Sequence, residues 1–219
     1  MFHIFVDFEM NVIDKVYREQ RMICKREIIE IGAVKLDDEG NEISSFTQYV
    51  KPEYGQITEY YANLTGITNE QVADQPHFHD AMGNFLDWAG NEAYRIYSWS
   101  NSDVIQMSRE AELKGENDPR LELMIGRWVD YQEEFGKLLG VEKRIGLKDA
   151  VHAIGIDFEG RQHDALWDAR NTAYIYRLSL DRKQFDQVMK PIADLFRPQK
   201  ELGTSLGELF GSEFLNLFP

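Results

Sequence analysis

Apolar positions dominate both phases of the run Phe2-His3-Ile4-Phe5-Val6-Asp7-Phe8-Glu9 until two carboxylates, two residues apart, end it. Alternation puts His3, Phe5, Asp7 and Glu9 on one face of a strand and Phe2, Ile4, Val6 and Phe8 on the other. That pattern predicts a central strand covered on both sides. The β-branched stretch Glu27–Leu36 predicts a second strand, Asp38-Glu39-Gly40-Asn41 a turn, and Glu42–Val50 a return strand closed by Pro52. Together the three read as an antiparallel meander.

Beyond Pro52 the period changes. Ile57–Val72 contains Leu64-Thr65-Gly66-Ile67-Thr68, where Gly66 is expected to end a short helix and Thr68 or Asn69 to cap the next. Phe78, Met82, Phe85, Leu86 and Ala89 fall at helical spacing within Pro76–Ala89. Ala93–Trp99 reads as a fourth strand and Asp103–Lys114 as a helix, broken over Gly115–Pro119. Trp128–Leu139 reads as largely helical and Leu147–Ile154 as a short helix. Ala165–Leu180 is the best-defined helix, with Leu166, Ala169, Ala173, Tyr176 and Leu180 on one side and Asp164 placed to cap it. Lys183–Phe196 is a further amphipathic helix that stops near Pro198. The tail 199–219, with Leu206, Leu209, Phe210, Phe214, Leu215, Leu217 and Phe218, is too apolar to stay free and is expected to dock on its own domain or on a protein partner. The elements predict an α/β fold: a mixed sheet, meander plus parallel strands, flanked by helices. Residues 1–180 would form one domain and 181–219 a helical extension.

A net charge of −14 over 219 residues argues against a protein that coats nucleic acid through its whole-body field. The stretch Met10–Arg26 runs against that trend, with Lys15, Arg18, Arg21, Lys25 and Arg26. It reads as a solvated loop or hairpin, or as a strip touching phosphate backbone. One cysteine, Cys24, excludes an internal disulfide, and no apolar run reaches the roughly 18 residues of a membrane span. A cytoplasmic setting without membrane contact is expected.

Three acidic motifs carry the chemistry. Asp7 and Glu9 end the first strand, Asp103 opens the helix after the fourth, and His163 precedes Asp168 at the start of the best-defined helix. Taken singly, each has a plain explanation as a surface acid, a cap or a loop histidine. Taken together, four carboxylates converging from three elements suit two hard divalent cations. On a continuous helix His163 and Asp168 would point about 140° apart, so His163 must fold back from the Gly160-Arg161-Gln162 loop to join them.

This ordered set resembles the DEDDh-type 3′–5′ exonucleases, which share the ribonuclease-H-like fold. Asp7 and Glu9 match the first motif, Asp103 the second, and His163 with Asp168 the third. Glu-Ile-Ile-Glu-Ile-Gly-Ala-Val (27–34) and Leu-Thr-Gly-Ile-Thr (64–68) also match. The run through Gly155, Phe158, Gly160, His163, Ala165, Asp168 and Asn171 is similar to the Eri-type exoribonuclease branch, near the sporulation-inhibitor-like bacterial exonucleases. Met10-Asn11 departs from the threonine that often follows the first motif. The resemblance implies hydrolysis of the 3′-terminal phosphodiester of RNA or DNA with two Mg²⁺ or Mn²⁺ ions. Asp7, Glu9 and Asp168 would hold one ion, Asp7 with Asp103 the other, and His163 would take a proton from the attacking water. Phe8, Met10 and Leu64 are expected to stack on a single-stranded end, Thr65 to lie beside it, and Arg18 and Arg21 to meet its phosphates. The rival readings are a catalytically silent relative that binds protein or nucleic acid, and an endonuclease on the same fold.

Overall fold

In a computed structural model that describes residues 1–196, five strands form one mixed sheet. β1 (Phe2–Val12), β2 (Arg26–Leu36), β3 (Glu42–Tyr49), β4 (Tyr94–Ser98) and β5 (Trp128–Asp130) lie in the order β3-β2-β1-β4-β5. β1–β2 and β2–β3 pair antiparallel, while β1–β4 and β4–β5 pair parallel. The predicted meander is present, and β1 is central with both faces covered.

Helices fill both faces in chain order. α1 (Gln20–Ile23) lies in the excursion between β1 and β2, and α2 (Glu59–Thr65) and α3 (Asn69–Val72) follow the meander. α4 (Phe78–Ala89), α5 (Ser102–Lys114) and α6 (Pro119–Ile125) bury Phe78, Phe85, Met107 and Met124 against Ile4, Val6 and Phe8 of β1. α7 (Tyr131–Leu139), α8 (Leu147–Ala153), α9 (Ala165–Leu180) and α10 (Arg182–Phe196) cover the opposite face, with Phe135, Val151, Ile175 and Phe185 around Phe5 and Val34. Each such side chain, fully buried, contributes about 1.5–3 kcal/mol. α10 packs on α9 and α7, whereas the apolar tail 199–219 lies outside the described residues. No described helix is long and apolar enough to cross a membrane.

Four elements depart from expectation. β1 does not stop at its acids but continues to Val12, past a bulge that leaves Ile29 of β2 without a partner between the Glu9–Glu30 and Met10–Ile28 pairs. The basic stretch therefore contributes strand as well as loop, and the helix α1. Trp128–Asp130 forms the edge strand β5 rather than the start of a helix. A three-residue strand has no period to read, and β4 supplies the pairing. Residues 119–125, where the pattern predicts no element, form α6, with Asp118 capping the Arg120 N–H and Pro119 at its first position. As predicted, Gly66 ends α2 in the left-handed region, and Thr68 builds a capping box with Gln71 ahead of α3.

A buried ion cluster ties α5 to the strands. Lys114 Nζ lies 2.9 Å from Glu27, 2.8 Å from Glu110 and 3.1 Å from Glu53, while Glu110 also accepts the Ile28 N–H at 2.8 Å. Removing Lys114 would strand two buried carboxylates, so the cluster fixes where α5 lies against the strands.

Candidate metal centre and active site

The site forms where β1 outruns β4. β4 pairs with β1 only over Phe2–Phe5, so beyond Phe5 that edge of β1 has no strand partner. The Phe8 N–H on this edge donates to Oδ1 of Asp103 at 3.2 Å, and the Ser102 hydroxyl donates to Oδ2 at 3.3 Å. Asp103 is the second residue of α5 and is buried. It is thus drawn to the carboxyl end of the two parallel strands, the usual place for a site in an open α/β sheet.

α9 closes the other side. A Cβ at Gly32, the residue paired with Asp7, would lie 2.1 Å from the Leu166 nitrogen, so only glycine lets the helix start rest on β2. The Ala165 N–H donates to Glu30 Oε2 at 3.2 Å, and Asp164 accepts the Trp167 N–H at 3.2 Å. Asp168 sits one turn in. Glu9, His163 and Asp168 each offer a ligand atom, and these atoms all lie within 4.8 Å of one another. His163 Nδ1 is 4.0 Å from Glu9 Oε1. The histidine lies in the loop before α9, as its spacing required. It is the one described non-glycine residue with positive φ (62°), a conformation costing about 1–2 kcal/mol.

Burial and mutual repulsion dominate the electrostatics. The Asp7 carboxyl is held well above the usual carboxylate range by burial, then by Asp103, Asp168, Glu9 and Glu30. Glu9 is pushed up to about 8 by burial, then by Asp168, Glu30 and Asp103. Burial raises Asp103 to about 7 against the Phe8 N–H. It also raises Asp168 to about 7 against the His163 backbone N–H, with Asp164 and Asp103 adding to the rise. The four acids therefore share one site. His163 moves the other way: burial, then the Arg161 charge, lower it below the ordinary 6.5, a shift that favours the neutral imidazole. Asp168 Oδ1 is buried with no hydrogen-bond partner among the described residues. An unpartnered buried oxygen among repelling carboxyls fits a hard divalent cation, which would neutralise the acids and take up that oxygen's lone pair.

The remaining expectations divide. Phe8 is a correction: its side chain is buried in the core against Phe85 and Trp128, on the face away from Asp7, and cannot stack on a base. Thr65 is another: it is buried, its hydroxyl donates to the Tyr61 carbonyl at 2.9 Å, and the same oxygen accepts the Ile67 N–H. Arg21 donates to the Ile13 carbonyl and braces its own loop. Arg18 is exposed, and Met10 and Leu64 are half-buried.

Sequence reasoning missed three polar residues. Glu30, directly opposite Glu9 across the β1–β2 ladder, is buried and raised to about 7 by that burial. Its signal was an acid flanked on both sides by isoleucines in the interior of β2. Asn11 is fully buried, accepting the Thr58 N–H at 3.1 Å and donating to the Gln56 carbonyl at 3.1 Å, which anchors the start of α2. Arg161 reaches the carbonyls of Asn63 and Leu64, a contact no local pattern announces.

Comparison with known proteins gives the site its context. A Danio rerio protein named ERI1 exoribonuclease 2 is 30% identical over 197 residues, covering 80% of this chain and 34% of that protein. The chain spans about a third or less of the ERI1 exoribonuclease 2 proteins it matches. A Bacillus subtilis (strain 168) protein named probable 3′–5′ exonuclease KapD is 27% identical over 190 residues, covering 86% of this chain and 89% of that protein. Among solved structures, the nuclease domain of 3′hExo, a DEDDh family member bound to rAMP, has the same fold. Its TM-score is 0.72 at 24% identity, covering 84% of this chain and 94% of that one. The family model RNase_T, described as an exonuclease, matches residues 4–176. That span runs from the first strand's acids to the helix of Asp168, and on it this chain, with its DEDDh pattern of acids and histidine, belongs to the exonuclease family.

Proposed function

We propose that the protein is a 3′–5′ exonuclease that removes nucleoside monophosphates from single-stranded RNA or DNA ends with two divalent cations, Mg²⁺ or Mn²⁺. One observation carries the reading: His163 Nδ1 stands 4.0 Å from Glu9 Oε1, beside a buried Asp168 oxygen with no partner among the described residues. Asp7, Glu9 and Asp168 would hold one cation, and Asp7 with Asp103 the other. Bound there, the cations would supply Lewis-acid activation of water and stabilise the departing 3′-oxygen.

The chain's own groups do the rest. His163 would accept the proton of the attacking water through its neutral imidazole. The Phe8 N–H and Ser102 hydroxyl orient Asp103, and Glu30 seats the start of α9 so that Asp168 faces the strand acids. The exposed Arg18, and the half-buried Met10 and Leu64, would meet the strand as it approaches. The names of the relatives support the direction of hydrolysis, and their exoribonuclease members support RNA as one substrate. A single, buried thiol at Cys24 supports a reducing, cytoplasmic setting.

The test is digestion of matched RNA and DNA oligomers, single- and double-stranded, with Mg²⁺, Mn²⁺ or EDTA. Mononucleotides released from the first time point, and abolished by EDTA, are the expected result. Internal fragments would instead mean an endonuclease, and intact oligomers under every condition a silent binding module.

A further inference from the structure

Arg161 joins two segments far apart in the chain. Its Nη2 donates to the carbonyl of Asn63 at 3.1 Å and to that of Leu64 at 3.2 Å, nearly a hundred residues away. These carbonyls belong to the last turn of α2, where no further helical N–H is available to meet them. A Cβ at Gly66 would lie 1.8 Å from Arg161 Nη1, so the guanidinium packs directly on the bare α-carbon of the turn. Gly66 is favoured by its left-handed backbone (φ 76°), and its bare α-carbon leaves room for the guanidinium tip to lie against the turn.

The other side of the same loop is also pinned. A Cβ at Gly160 would lie 2.2 Å from the Trp167 indole, which seats the loop on α9. Between these two anchors and the Asp164 cap stands His163 in its strained conformation. Positive φ in a non-glycine residue persists only where its surroundings over-determine it. Within that set, Arg161 supplies the two bonds, both from Nη2, that cross from the loop to α2. Among the described residues the guanidinium forms no ion pair, and its Nε and Nη1 groups donate to none of them, so salt-bridge stability does not explain its place.

We propose that Arg161 is a positioning residue, clamping the His163 loop to the Leu64–Gly66 turn so that the imidazole stays over the metal-binding acids. The proposal rests on the exonuclease reading for its consequence in catalysis, but the clamp itself is a property of the loop.

Steady-state cleavage by Arg161→Ala tests it. The expected result is a fall in kcat of at least about tenfold, with the 10²–10⁴-fold that a general base supplies as its ceiling. KM for the oligomer and the melting temperature should stay unchanged. In a His163→Ala background the same substitution should alter kcat by less than about twofold, because residues acting as a unit are not additive. Hydrogen exchange of the 157–164 amides in the metal-free protein should speed up in Arg161→Ala, whatever the activity. Unchanged kcat, a raised KM at constant kcat, an equal loss in both backgrounds, or unaltered exchange would each overturn the clamp. Absence of metal-dependent cleavage by the unsubstituted protein, with exchange still accelerated in Arg161→Ala, would overturn the exonuclease reading and leave the clamp standing.

Discussion

Asp168 Oδ1 and the His163 imidazole sit on opposite sides of one requirement: the carboxyls need positive charge, and the proton acceptor must stay neutral. A lowered histidine pKa beside raised carboxyl pKa values meets both. Replacing His163 by Ala should cut turnover by about 10²–10⁴-fold, with metal affinity by calorimetry and oligomer affinity by anisotropy both retained. Retained turnover would remove His163 from the chemistry. Phe8→Ala should behave differently, costing about 3–5 kcal/mol of stability as a core truncation and lowering the midpoint of denaturant unfolding. At permissive temperature KM should not change. The face of Phe8 was legible in the alternation of β1, which already set it opposite Asp7. Thr65 was not legible: whether a hydroxyl turns inward to its own helix depends on the turn that follows it.

At the scale of elements, the contact of α9 with β2 decides the site. Gly32→Ala would place a methyl group 2.1 Å from the Leu166 nitrogen, and backbone cannot yield as a flexible side chain would. The helix start must lift, taking Asp168 from Asp7 and Glu9. Loss of metal binding by calorimetry, together with a lowered melting temperature, is the expected outcome. The excursion between β1 and β2 is the other element with a functional claim. Arg18→Glu should weaken binding of all oligomer sequences alike. If Arg18 neutralises one phosphate, its reversal should also make the salt dependence of affinity shallower, by about 0.7 in logarithmic slope. Arg18 is the clean choice, because Arg21 is committed to the Ile13 carbonyl and its reversal would disturb the loop. The long helices and the meander were legible from period alone. β5 and α6 were not, since short elements owe their existence to neighbours.

For the molecule as a whole, the acid cluster links folding to pH. Glu9 (about 8) and Asp103, Asp168 and Glu30 (each about 7) titrate above their unfolded values. Between about pH 4.5 and 8 these four groups therefore bind more protons in the metal-free folded state than in the unfolded chain. Stability from these groups is fully present below their unfolded values and is lost as pH rises through 7 to 8. Melting temperature in EDTA should fall across that window, and saturating Mg²⁺ should flatten the decline; an EDTA profile that rises would contradict the shared site. The net charge of −14 adds self-repulsion in the same direction and makes the approach of a polyanion depend on cations at the site.

The order of motifs along the chain was enough to determine the central strand, the meander, the late helix and the five residues of the DEDDh pattern. Periodicity and end-of-element acids are local properties, written in neighbouring letters. Tertiary structure alone decided that Glu30 faces Glu9, that Gly32 admits α9, that Asn11 anchors α2 and that Arg161 bridges to Asn63 and Leu64. Each of these joins residues whose separation along the chain carries no period. Only the register of two strands, or the docking of a helix on a sheet, brings them within reach.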